Sequence, residues 1–297
     1  MATAAVIAPH DVQTTLNYLG KETLDGQPPF NIVYKVPPEV PRTNITTDPH
    51  EVVIHDVRGQ EDTVSLDKTG FQFVKHISQE KDFLDDKAIE AHYYKEVEEL
   101  LKRETGAKRV FIFDHTIRRN YDTTPGADPD VRGPVVGHAY SSGDKGSLPR
   151  QQRVHIDQTF AASVNRVRYH LPDEADRLLK SRVRLINVWR PIGHPVAHNP
   201  LAVADYFSLN VDHDLVSTRH IYPDREGATF AVKYNPGHRW YYLSDQTPEE
   251  VTLIKCFDSS EDRARLTPHS AFVDTTSPAT APKRQSIEVR ALVFDAE

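Results

Sequence analysis

The chain has 297 residues, 38% of them hydrophobic, enough for one sizeable core. Its 36 Lys and Arg against 43 Asp and Glu leave a formal charge of -7, a background that repels phosphate backbones and argues against nucleic acid as a partner. The first ten residues lack the basic and apolar regions of a signal peptide, and no run approaches the ~18 apolar residues of a membrane span. The lone Cys256 excludes an internal disulfide, so a cytoplasmic protein without membrane partners is expected.

Proline is scattered, and neither a Gly/Ser-rich linker nor a repeat interrupts the chain. Residues 1–297 therefore read as a single domain, with 1–70 a partly extended lead-in packed on the rest. Oligomeric state is not legible. From Phe30 to His76 the short runs FNIVYK, EVVIHDV and FQFVKH alternate with Pro, Gly and Asp, as strands do. Ile89, Tyr93, Val97, Leu100 and Leu101 then recur at helical spacing, and Gly106 follows where a left-handed cap belongs. Thr247-Pro248-Glu249-Glu250 has the form of a capping box and predicts a second helix. Strand-like runs lie at Val110 to Phe113, Leu185 to Trp189, Phe230 to Tyr234, Arg239 to Leu243, Ala271 to Val273 and Ile287 to Phe294. Without regular βαβ alternation, these elements predict a mainly β fold with flanking helices, a sandwich or jelly roll. In the last run Ile287, Val289, Ala291 and Val293 share one face. Arg284, Ser286, Glu288 and Arg290 share the other, which either faces solvent or lines a pocket, periodicity alone favouring solvent.

His155-Ile156-Asp157 puts two ligand types on one face of a strand, about 6 to 7 Å apart. With His269 from a distant strand they would form a two-histidine, one-carboxylate set that leaves positions open for oxygen and a co-substrate. Fifteen residues beyond His269 stands Arg284-Gln285-Ser286, whose arginine and serine could fork onto a carboxylate such as that of 2-oxoglutarate. Arg290 is a second arginine on the same face, with Glu288 as a local partner. In INVWRP, Asn187 and Arg190 lie on opposite sides of a strand, and each is a candidate substrate contact, Arg190 for a carboxylate. Trp240 and Tyr242 belong either to the core or to the pocket wall, with Trp240 a third candidate contact. His115, His138 and His238 read as structural histidines. No HExxH, GxSxG, phosphate loop or CxxC is present.

The segments HYYKEVEELLKRETGAKRVFIFDHTIRR, VHIDQT, INVWRPIGHPVAHNPLAVAD, HRWYYLSDQTPEE, IKCFDSS, TPHSAF and RQSIEVRALVF occur in this order between about Phe73 and Phe294. In these segments the chain resembles the fungal and bacterial oxygenases related to the cephamycin methoxylase component and the fungal gibberellin desaturase. That resemblance implies a double-stranded β-helix, iron(II) held by His155, Asp157 and His269, and 2-oxoglutarate held chiefly by Arg284 with Ser286. It also implies O2-dependent hydroxylation, desaturation or ring closure of a small secondary-metabolite intermediate, with release of succinate and CO2. Two other readings predict different chemistry. An iron oxygenase that does without 2-oxoglutarate would use Arg284 and Ser286 for its substrate, and a metal- or ligand-binding β-sandwich would turn nothing over.

Overall fold

Alternating side chains build two facing sheets in the computed structural model, which describes residues 9–119 and 153–296; His138 lies outside them. The smaller sheet runs β4 (Phe71–Lys75), β12 (Glu250–Asp258), β7 (Val183–Pro191), β14 (Gln285–Phe294), β5 (Arg109–Arg119), antiparallel throughout. Strands β7 and β12 are buried along their whole length, which is why they read as nearly continuous apolar runs.

One face of this sheet is covered by helix. Asp85 caps a single turn, Asp86–Ala88, by accepting from the Lys87 N–H. A wider π-helical turn, Ile89–Tyr93, leads into the helix Tyr94–Thr105, and Gly106 ends it at φ 68°. The expected helical stripe packs against Ile186, Val188, Val251, Leu253, Ile287 and Val289. Each such fully buried aliphatic side chain contributes roughly 1.5–3 kcal/mol.

The other face looks across the core at a larger sheet. Its order is β1 (Val12–Leu19), β3 (Thr47–Asp56), β11 (Trp240–Tyr242), β8 (Leu201–Ala204), β13 (His269–Ala271), β6 (His155–Ile156), β10 (Glu226–Val232), β9 (Leu215–Ile221), β2 (Phe30–Ile32). Leu185, Trp189, Ile254, Leu292 and Phe294 meet Val203, Ile156 and Val232 in the second hydrophobic cluster. This is the jelly roll. The N-terminal segment supplies β1, β2 and β3 to the larger sheet.

Two expectations fail. The Thr247 box forms, with the Thr247 N–H and hydroxyl both donating to Glu250 Oε2 at 2.9 and 3.2 Å, but strand β12 follows it rather than a helix. The run VTLIKCF is apolar and rich in β-branched residues, and pairing with both β4 and β7 overrides the local cap. The polar face of β14 is turned inward, not to solvent: Ser286 is buried, and Glu288 and Arg290 face the core between the sheets. The unforeseen helix Phe160–His170 starts at Thr159, whose side chain accepts from the Ala162 N–H. Among the described residues no helix is long and apolar enough to cross a membrane.

Candidate active site

Register brings the histidines together. His155 on β6 pairs directly with His269 on β13, so both side chains leave the same face, their ring centres 4.5 Å apart. Asp157 lies just past the end of β6, with Oδ1 3.6 Å from His155 Nε2. One donor atom from each of the three residues lies within 4.8 Å of the others.

Hydrogen bonds fix which atoms converge. His155 Nδ1 lies 2.7 Å from the Arg153 carbonyl and His269 Nδ1 3.1 Å from that of Thr267. A carbonyl only accepts, so each Nδ1 carries the proton and each Nε2 presents a lone pair. Asp157 Oδ2 accepts from Asn187 Nδ2 at 2.8 Å and Arg290 Nε at 3.2 Å, which leaves Oδ1 for a metal. Two neutral imidazoles and one carboxylate oxygen, converging from one side, fit iron(II) and keep its opposite face open.

Arg290 is held from all sides. Besides Asp157 it binds Glu288, Asp114 at 3.3 Å and the Thr116 hydroxyl at 2.9 Å. Burial penalises its charge, yet the attraction of Glu288, Asp157 and Asp114 outweighs burial and raises its pKa.

Arg284 stands in a different environment. Its Nη1 donates to the Asn199 carbonyl at 2.6 Å and its guanidinium lies 5.7 Å from the Trp189 ring centre. Among the described residues no carboxylate pairs with it. Burial, reinforced by the nearby Arg118 and only partly opposed by Glu288, lowers its pKa to about 10. Ser286, 1% exposed, follows two residues along the same inner face. A buried cation next to a hydroxyl is ready for an anionic ligand.

The remaining expected contacts fall elsewhere. Asn187 is fully buried in the site but holds Asp157, and its Oδ1 has no partner among the described residues. Arg190 is on the reverse face of β7, where it donates to Tyr93 Oη and the His76 carbonyl at 2.8 Å each, and to the Pro248 carbonyl and His76 Nδ1. With its donors engaged in tying helix to sheet, it is not brought to the pocket. Trp240 pairs with Ala204 and Ile54 on the face opposite His269, and its indole donates to Tyr18 Oη at 2.8 Å. Tyr241, paired with Val203 as His269 is, shares the histidine's face and reaches Phe71 of the other sheet at 5.8 Å. Sequence reasoning missed Asp114 and Tyr241. A polar residue at alternate positions of a buried strand, as in Asn187, Glu288 and Arg290, was the available signal.

Comparison with known proteins agrees with this geometry. Residues 16–294 match the family model described as "Oxidoreductase/YMDC permease-like domain". The "Hydroxylase/desaturase efuI" of Hormonema carpetanum is 37% identical, over 98% of this chain and 97% of that protein. The "Fe(II)/2-oxoglutarate-dependent dioxygenase nvfI" of Aspergillus novofumigatus is 34% identical, over 89% of this chain and 90% of its own. The solved structure of the "iron and alpha-ketoglutarate-dependent endoperoxidase NvfI" superposes with a TM-score of 0.79 at 29% identity, covering 97% of this chain and 99% of that one.

Proposed function

Because the chain belongs to the family of iron(II)- and 2-oxoglutarate-dependent dioxygenases, we propose that it hydroxylates, desaturates or cyclises a small secondary-metabolite intermediate at an unactivated carbon. His155, Asp157 and His269 would hold iron(II), which would supply oxygen activation coupled to oxidative decarboxylation of 2-oxoglutarate. In a hydroxylation, one oxygen atom of O2 ends in succinate and the other in the product, with CO2 released.

The protein's part is positional. His155 and His269 bind through Nε2 because their Nδ1 protons are committed to backbone carbonyls. Asp157 binds through Oδ1 because Asn187 and Arg290 hold Oδ2. Arg284 and Ser286 hold the distal carboxylate of 2-oxoglutarate, Trp189 forming the wall beneath the guanidinium. Arg290, already committed to three carboxylates, is not that anchor. The observation that carries this reading is the pairing of a convergent Nε2, Nε2 and Oδ1 set with a buried Arg284 that pairs with no carboxylate among the described residues.

We read residues 1–297 as one oxygenase domain acting in the cytoplasm on a free metabolite. The charge of -7 and the absence of a basic stripe in the sequence support a small-molecule partner over nucleic acid. The test is incubation with iron(II), ascorbate, O2 and 2-oxoglutarate, scoring candidate metabolites by succinate release. We expect one succinate per product molecule and one iron per chain. Oxygen uptake without succinate, or full iron content in a His269→Ala variant, would overturn the assignment of Arg284 or of the ligands respectively.

A further inference from the structure

One cationic cluster has no part in the chemistry above. The helix Phe160–His170 carries Arg166, whose guanidinium lies 5.3 Å from the centre of the Phe113 ring. Phe113 stacks on His170 at 5.0 Å and 26°, and His170 meets Tyr169 edge-on at 4.9 Å. Arg225, from the turn joining β9 to β10, covers the rings of Tyr222 at 4.5 Å and Tyr169 at 5.4 Å and donates to Tyr169 Oη at 3.2 Å. Two guanidiniums thus line a wall of aromatic rings.

Neither arginine pairs with a carboxylate among the described residues, and Arg166 makes no hydrogen bond there either. Burial lowers the Arg166 pKa; Arg225 and Arg290 add to the effect, and Tyr222 and Asp114 oppose it without cancelling it. His170 Nε2 is buried without a partner. Half-buried cations that no carboxylate pairs with are costly unless a ligand supplies the counter-charge. The cluster also adjoins the metal centre. A bulge in β5 at Phe113 turns Phe113 and Asp114 to the same inner face, where Asp114 pairs with Arg290 and Arg290 holds Asp157.

We propose that Arg166 and Arg225 recognise a carboxylate on an apolar, ring-bearing substrate whose body lies along Phe113 toward the Asp157 centre. That the ligand is a substrate rests on the oxygenase reading; that the site takes an organic anion does not. The test uses the full chain with saturating Mn(II) and 2-oxoglutarate and two fluorescent probes of similar shape. One is the anionic 1-anilinonaphthalene-8-sulfonate, whose sulfonate stands in for the carboxylate, and the other is the neutral N-phenyl-1-naphthylamine.

Arg166→Gln and Arg225→Gln should each weaken the anion by about tenfold or more, as expected for one lost charge-assisted pair. The neutral probe should bind unchanged, and Arg166→Lys should recover most of the anion's affinity. Arg225 lies on a turn, so its variant decides the matter if Arg166→Gln fails to fold. Equal anion affinity in wild type and Arg225→Gln, equal loss of both probes, or no anion binding while 2-oxoglutarate occupies Arg284 would each overturn the site. If wild type took up neither Mn(II) nor 2-oxoglutarate while the contrast between probes held, the oxygenase reading would fall and the anion site would stand.

Discussion

Two of the networks in which the molecule buries charge are built to opposite ends. At the rim of the smaller sheet, Lys255 is 0% exposed and its three ammonium hydrogens go to Asp67 at 2.8 Å, Asp258 at 2.7 Å and the Ala264 carbonyl at 2.9 Å. Asp258 also receives Arg182 and the Ser260 N–H, and Asp67 receives Arg182 and Arg263. Burial disfavours the Asp67 charge, but Lys255 and Arg182 overcompensate and hold its carboxyl well below the usual range. Every valence is met, so the network can only fasten loops to a strand. Around Asp157 the supporting side chains Asn187 and Arg290 hold Oδ2, and two Nε2 atoms, Oδ1 and Arg284 face inward. Convergence of donor atoms on one point, not burial, separates the site from the scaffold.

The largest effects should come from exchanging those properties. Asp157→Ala should abolish succinate formation and iron retention with a smaller loss of stability than Lys255→Met, because Arg290 keeps Glu288 and Asp114 as partners. Lys255→Met should do the reverse: breaking a closed buried network costs about 3–5 kcal/mol of stability, while the molecules that remain folded turn over normally. Urea denaturation and succinate assays on both variants make the comparison. A Lys255→Met loss below about 1 kcal/mol would show that the rim network is ornamental.

A finer version of the contrast sets Arg284 against Arg190. Both are buried, but only Arg190 has its hydrogens committed to protein acceptors on several sides. Arg284→Leu should raise the KM for 2-oxoglutarate by some tens to thousands of fold, about 2–5 kcal/mol. Arg190→Leu should lower stability and leave that KM alone. A KM change from Arg190→Leu as large as that from Arg284→Leu would erase the distinction.

These two arginines also mark the limit of what the sequence discloses. Period-two runs foretold most of the smaller sheet, and the helical stripe from Ile89 to Leu101 foretold its cover, because each pattern reports one buried face. The candidate ligand set was legible from the order of the chain and the family resemblance, the spacing of His155 and Asp157 being a weak signal by itself. Strand β7, however, is buried on both faces, so nothing in INVWRP says whether Asn187 or Arg190 looks at the pocket. That is decided by which face of the sheet the helix covers, a tertiary fact. The Thr247 box misled for a related reason: its local hydrogen bonds form, and long-range pairing still makes the next residues a strand. Trp240 was misplaced by one residue of alternation, which exchanges it with Tyr241.

A last test concerns His170, whose ring stacks on Phe113 beside Arg166 and Arg225. Burial, helped by Arg166 and Arg225, lowers its pKa to about 4, against about 6.5 for an exposed imidazole. Between those values the unfolded chain carries the proton and the folded chain does not. The unfolded state therefore binds more protons, and stability must rise with pH across that window and fall as pH drops from about 6.5 toward 4. His170→Gln removes the titration. The difference in unfolding free energy between wild type and His170→Gln should consequently shift in favour of wild type as pH is raised through the window, then level off above about pH 7. Bound 1-anilinonaphthalene-8-sulfonate would offset the neighbouring positive charge and shallow that slope. A difference that does not vary with pH would mean that His170 keeps its ordinary affinity for protons, and that the two arginines beside it are compensated by something other than a ligand.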